Sequence, residues 1–187
     1  MGKYVTLILA GLLAALVLYV QFQERGERPT RQHRRPAAQA RGDASGPTLR
    51  GRAYVVDADT LQIAGTRIRL HGIDAPERDQ SCTRAGVAWR CGQQASAALA
   101  TLLAGRELRC EPRDHDRYDR VVAVCWAGAV DVNHWLVDQG WAVAYRRYSI
   151  AYVAAETEAR QARRGIWSGS FEPPEDYRRN QPHPRNF

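Results

Sequence analysis

The chain has 187 residues, with 27 Lys or Arg against 20 Asp or Glu, a formal net charge of +7 and a sequence pI near 9.6. A hydrophobic fraction of 44% with five Trp and eight Tyr excludes a wholly disordered chain. No collagen-like triplet, heptad run or internal period is present, and the length admits one ordinary domain with appendages rather than two full domains. Lys3 is the only lysine, so the positive charge is almost all guanidinium. Basicity of this kind points toward an anionic partner, nucleic acid or an anionic membrane surface, although a bias toward arginine codons produces the same count.

Residues 5–20, VTLILAGLLAALVLYV, form an uncharged apolar run flanked by Tyr4 and Phe22. That is near the lower length limit for a membrane-spanning helix. No pair of small residues at cleavage spacing follows closely, so residues 1–22 are expected to be an uncleaved signal anchor, with a cleaved signal as the alternative. Residues 23–49 lack hydrophobic periodicity and are rich in Arg, Pro and Ala, as expected of a disordered tether. Six arginines follow the apolar run and only Lys3 precedes it, which by the positive-inside rule favours a cytoplasmic body.

From residue 50 the pattern turns to strands. GRAYVVD at 51–57, TLQIA at 60–64 and TRIRLH at 66–71 predict three, with Ala64-Gly65 as a tight turn between the last two. Leu61, Ile63, Ile68 and Leu70 then share one face, and Arg67, Arg69 and His71 the other. A helix is expected over 92–104, two strands over 106–112 and 120–126, and helices over 131–139 and 149–164, each helix followed by a glycine. This order predicts an α+β fold: a five-stranded OB-type β-barrel with three helices, preceded by the transmembrane helix. The domain is expected over 50–168, and the tail 169–187, with four of the nine prolines, is expected to be irregular.

The four cysteines have no C-x-x-C spacing. Cys82 and Cys91 bracket a short loop, and hairpin pairing would bring Cys110 to Cys125. Two disulfides, Cys82–Cys91 and Cys110–Cys125, are the favoured choice among three connectivities, with four buried thiols as the alternative. Disulfides require an oxidising compartment, so the body is expected to face the periplasm or exterior, against the arginine count. Secretion after cleavage and a cytoplasmic-facing body are the alternatives.

Three segments concentrate ionisable residues: Asp57-Ala58-Asp59-Thr60, Arg69 through Glu77, and Asp116-Arg117-Tyr118-Asp119-Arg120. Carboxylates with backbone carbonyls are hard oxygen ligands suited to calcium or magnesium, and arginines beside them make sense where metal and guanidinium hold one phosphate together. Taken singly, each segment reads equally well as a turn cap or a surface ion pair. Taken in order, they resemble the staphylococcal nuclease family, whose pattern is D-G-D-T, R-L-x-x-I/V-D-x-P-E and D-x-Y-G-R. The resemblance extends to Gln139-Gly140 and to Gly165-Ile166-Trp167-Ser168 and covers about residues 50–168.

The resemblance implies that Asp59, Asp74 and the main-chain carbonyl of Ala75 ligate Ca²⁺. It implies that Glu77 is the general base and that Arg69 and Arg120 hold the phosphate being attacked. Arg117 and Tyr118 would contact a neighbouring phosphate, and Tyr145 or Tyr148 would stack on a base. The implied activity is calcium-dependent hydrolysis of DNA and RNA phosphodiesters with little sequence preference, with no protein partner implied. The alternative is a catalytically weak or inactive nucleic-acid-binding module on the same fold. Two positions depart from the pattern, Ala58 and Asp119, where the family has glycine. Residues 1–50 hold eight basic and three acidic residues, whereas 51–187 hold nineteen and seventeen. Most of the net charge therefore lies outside the expected catalytic body.

Overall fold

A computed structural model describes residues 46–181. The expected anchor and most of the tether lie outside the described residues, as do 182–187. Among the described residues no helix is long and apolar enough to cross a membrane. In chain order the elements are β1 (Leu49–Gly51), β2 (Ala53–Asp57), β3 (Thr60–Ile63), β4 (Thr66–Leu70), β5 (Ile73–Asp74), β6 (Cys82–Arg84), β7 (Val87–Trp89) and α1 (Cys91–Leu103). They continue with β8 (Leu108–His115), β9 (Val121–Ala127), β10 (Val130–Asp131), α2 (Val132–Asp138), β11 (Val143–Ala144), α3 (Val153–Gln161), a 3₁₀ turn (Gly165–Ser168) and α4 (Pro174–Asn180).

The main sheet is mixed and runs β1-β8-β9-β4-β3-β2, with β10 on β9. Its two ends, β1 and β2, are separated only by Arg52 and form one bent run, so the sheet returns on itself in the manner of an OB-type barrel. The five expected strands are present as β2, β3, β4, β8 and β9. Ala64 and Gly65 both have positive φ, 46° and 87°, which gives the turn a twist matching its flanking strands. Leu61 faces Ile68 across the β3–β4 pair, and both are fully buried with Ile63 and Leu70. Leu99 of α1 and Leu136 of α2 fill the same core. Asp131 caps α2 by accepting from the His134 N–H at 2.9 Å.

The structure departs from expectation in three places. Six further strands of two or three residues occur, too short to show any periodicity. The helix expected over 149–164 is confined to Val153–Gln161. The described part of the tail is not irregular throughout, because residues 174–180 form α4. Pro173 and Pro174 stand at its start, where a preset φ favours a helix and a missing N–H costs nothing. Glu175 and Asp176 in its first turn and Arg178 and Arg179 in its last complement the helix dipole. The described residues therefore hold four α-helices rather than three.

Both expected disulfides form, Cys82–Cys91 and Cys110–Cys125. The second joins directly opposed residues of β8 and β9. The first closes the β6–β7 hairpin onto the start of α1, around a small second core of Ile166, Trp89, Trp167 and Phe171.

Candidate active site

The three ionisable segments converge at one end of the barrel. Asp59 stands in the turn between β2 and β3, Arg69 near the end of β4, Asp74 in β5 and Glu77 just beyond it. The buried side chain of Asn133 fixes this end: it accepts from the Cys125 N–H at 3.1 Å and donates to the His71 carbonyl at 2.9 Å. On the far side β5 pairs with β11, placing Val143 opposite Asp74. Buried Glu156 holds β11 by accepting from the Ala144 N–H at 3.0 Å.

Asp59 and Asp74 are almost fully buried and share the guanidinium of Arg69. Its Nη2 donates to Asp74 Oδ1 at 2.7 Å, while Nη1 pairs with Asp59 Oδ2. Asp59 also accepts from the Ala75 N–H at 3.0 Å and from Thr60 Oγ1 at 3.1 Å. Arg120 reaches the same network by donating from Nη1 to Thr60 Oγ1 at 3.3 Å. Asp116 holds Arg120 in place, accepting from Nε at 2.7 Å and pairing with Nη2 at 2.6 Å. The predicted metal ligands, base and phosphate-holding arginines are therefore brought together. Among the described residues no three acidic, His or Cys side chains converge closely enough to enclose a metal by themselves. Two buried carboxylates, with the Ala75 carbonyl expected as a further oxygen, are nonetheless a donor set whose chemistry fits Ca²⁺, and water or substrate can supply the remaining oxygens.

Burial pushes the carboxyl groups of Asp74 and Glu77 above their ordinary values, with hydrogen bonds from Arg178 working the other way. Burial opposes the charge of Arg69, yet Asp59 and Asp74 hold it above its ordinary value. At Asp116 burial is outweighed by hydrogen bonds from Arg120 and from the loop backbone, and its pKa is lowered. Asp57 is raised by burial, although it accepts from the Ala58 N–H and from Ser96.

The expected substrate-contacting residues ring this centre. Tyr118 is exposed, with its hydroxyl accepting from Arg117 Nη2 at 2.8 Å and its ring beneath both Arg117 and Arg120. Tyr145 directly follows β11, and its ring meets that of Tyr148 edge-on at 5.0 Å. Trp141 packs against the main core and Trp167 in the second one.

Three contributors were missed in the sequence. Arg178 of α4 donates to Glu77 Oε1 at 2.8 Å and to Asp74 Oδ2 at 3.0 Å. Gln80, fully buried, accepts from the Glu77 N–H at 3.2 Å. Gly92, in the first turn of α1, lies so close to Glu77 that a Cβ there would be 1.7 Å from the Glu77 carbonyl oxygen. The helix signature around Pro173-Pro174 was legible and leads to Arg178. Nothing local marks Gln80 or Gly92.

The sequence model of the staphylococcal nuclease homologues matches residues 67–169, more than half of the chain. The chain belongs to that family. Over 121 residues it is 42% identical to the succinoglycan biosynthesis protein ExoI of Rhizobium meliloti (strain 1021), covering 63% of each chain. It is 32% identical over 121 residues to an uncharacterized endonuclease of Escherichia coli, covering 61% of this chain and 73% of that one. It is 31% identical over 122 residues to the probable staphylococcal-like nuclease CAN2 of Oryza sativa subsp. japonica, covering 64% of this chain and 31% of that one. The chain thus spans less than two thirds of the length of the first of these relatives.

The two departures of this staphylococcal nuclease homologue have different consequences. Ala58 is buried and has no positive φ, so alanine meets no backbone strain there. Asp119 has a φ of 59°, a left-handed geometry that Asp tolerates better than most residues. Arg178 lies beyond the segment that the family model matches.

Proposed function

We propose that the protein is a calcium-dependent nuclease that hydrolyses DNA and RNA phosphodiesters with little sequence preference. One observation carries the reading: an unbroken chain of polar contacts from Arg120 through Thr60, Asp59, Arg69 and Asp74 to Arg178 and Glu77. A purely structural ion-pair network needs no base at the end of a row of buried acids. Asp59, Asp74 and the Ala75 carbonyl hold Ca²⁺, which when bound offsets negative charge on the phosphoryl oxygens. Arg69 and Arg120 hold those oxygens and meet the charge that grows on them in the transition state. The Glu77 carboxylate takes the proton from the attacking water. Arg117 and Tyr118 steady a neighbouring phosphate, and Tyr145 or Tyr148 stacks on a base.

We also propose that residues 1–22 anchor the protein in a membrane and 23–49 tether a body facing an oxidising space. The two disulfides support that orientation.

The test of the reaction is digestion of plasmid and single-stranded RNA by the full chain, with calcium or with chelator, beside Glu77→Gln. The expected result is cleavage that needs calcium and falls at least about 100-fold in the variant. Equal cleavage by Glu77→Gln, or cleavage indifferent to chelator, would sink the mechanism. Binding of nucleic acid without cleavage in any metal would leave a binding module instead.

A further inference from the structure

The three acids at the proposed centre are Asp59, Asp74 and Glu77, and the one arginine among them from the barrel itself is Arg69. Formally two negative charges remain, which is what a divalent cation requires. The C-terminal helix takes up one of them. Arg178 bridges Asp74 Oδ2 at 3.0 Å and Glu77 Oε1 at 2.8 Å, so one guanidinium engages both a proposed metal ligand and the proposed base. A carboxylate that already accepts from a guanidinium is a poorer proton acceptor, and its oxygen is not free to turn to a metal.

The helix is positioned to do this by contacts that converge on the loop following Glu77. Ser170 and Thr83 exchange backbone hydrogen bonds at 2.8 and 2.9 Å. The Gln80 side chain, which accepts from the Glu77 N–H, donates at 2.7 Å to the Glu172 carbonyl. Phe171 packs edge-on against Trp167 at 4.9 Å. Glu175 lies 4.0 Å from Arg147 and raises the Tyr145 hydroxyl pKa together with Asp74, after burial. An acidic group thus sits beside an arginine and a tyrosine that a nucleic acid would meet. By contrast Arg178 itself is more than a third exposed, and α4 has only seven residues, with Pro174 as its one buried side chain. Release of the helix, with Phe171 staying on Trp167 in the second core, therefore exposes little apolar surface.

We propose that residues 170–180 form an intramolecular latch: Arg178 holds Asp74 and Glu77 in place of the metal, and the helix withdraws when calcium and nucleic acid enter. This rests on the function proposed above. Calcium and the docked helix then compete for Asp74, so each weakens the other by the same factor.

The test uses the full chain, its Arg178→Ala variant and Arg179→Ala as a control, since among the described residues Arg179 pairs only with Glu175 and Asp176 of its own helix. Calcium affinity is measured by calorimetry, and amide exchange of 170–180 is followed with and without calcium. Arg178→Ala is expected to bind calcium about 5- to 150-fold more tightly. Arg179→Ala should bind as the parent does, and calcium should speed exchange across 170–180 in the parent. Equal or weaker calcium binding by Arg178→Ala overturns the latch, as does exchange indifferent to calcium. Tighter binding by the variant with no cleavage from either protein leaves the latch standing and overturns the hydrolytic reading instead.

Discussion

The Ala75 N–H donates to Asp59 Oδ2 at 3.0 Å, tying two loops sixteen positions apart in the chain. Asp59 is thus an acceptor for backbone as well as a partner of Arg69. Asp59→Asn keeps an acceptor for that N–H but removes the charge, and is expected to abolish calcium binding at little cost in stability. Asp59→Ala leaves a buried N–H unpaired and should cost about 1–3 kcal/mol more. Urea unfolding of the two variants, beside calcium calorimetry, separates the roles.

Asp116 offers a pH test. Its folded pKa lies below the ordinary 3.8 because of its hydrogen bonds from Arg120 and the loop, burial notwithstanding. For a lowered acid the stabilisation is fully present above the unfolded pKa and is lost as pH falls through the folded one. The parent should therefore lose stability on acidification below about pH 3.8 by an increment that Asp116→Asn lacks. The same variant frees Arg120 and is expected to slow hydrolysis at neutral pH. Melts from pH 2 to pH 6 (roughly the carboxylate range) and rates at pH 7 give both readings.

Gly92→Ala forces a Cβ toward the Glu77 carbonyl. Overpacking of this kind costs about 1–3 kcal/mol, and the backbone that yields here carries the proposed base. Activity is expected to fall by more than the loss of folded protein explains, in kcat rather than KM. Rates measured well below the melting temperature check this.

Asp119→Gly replaces a left-handed aspartate with the residue that the family pattern places there. Stability should change by less than about 1 kcal/mol, because relief of strain is offset by entropy gained in the unfolded chain. Removing an anion beside Arg120 should lower KM for nucleic acid by up to about fivefold, an exposed-pair effect that added salt erases.

Non-reducing peptide mapping should recover Cys82 joined to Cys91 and Cys110 joined to Cys125. Replacing Cys82 and Cys91 together with Ala is expected to cost about 2–3 kcal/mol from the lost loop constraint. Because Thr83 carries the backbone bridge to Ser170, amide exchange across 170–180 should quicken in that variant.

Much of the barrel was legible because alternation in β3 and β4 reports burial directly, as Leu61, Ile63, Ile68 and Leu70 confirm. The ordered acidic and arginine segments were legible as a group because they lie on adjoining strands and turns, where Arg69 meets Asp59 and Asp74 and Arg120 meets Thr60. What escaped has physical reasons. Two-residue pairings such as Val143 with Asp74 carry no period. The proline-rich composition of the tail outweighed the Pro173-Pro174 start signal, although the first turn of a helix prefers proline. Arg178 reaches Glu77 across 101 positions, a contact that no local pattern records.

The bend at Arg52 lets one segment occupy both margins of the sheet: Leu49–Gly51 covers Leu108–Cys110, and Ala53–Ile63 pairing secures the other side. Gly51 makes the corner possible, since its φ of 147° suits glycine and a Cβ would press within 3.1 Å of Ile63. A chain trimmed to begin at residue 53 would uncover a row of unpaired amides and carbonyls on β8. Such a margin recruits strands from neighbouring molecules. The three residues at the start of the barrel thus act as a guard against self-association, and their loss should appear as aggregation before any loss of chemistry.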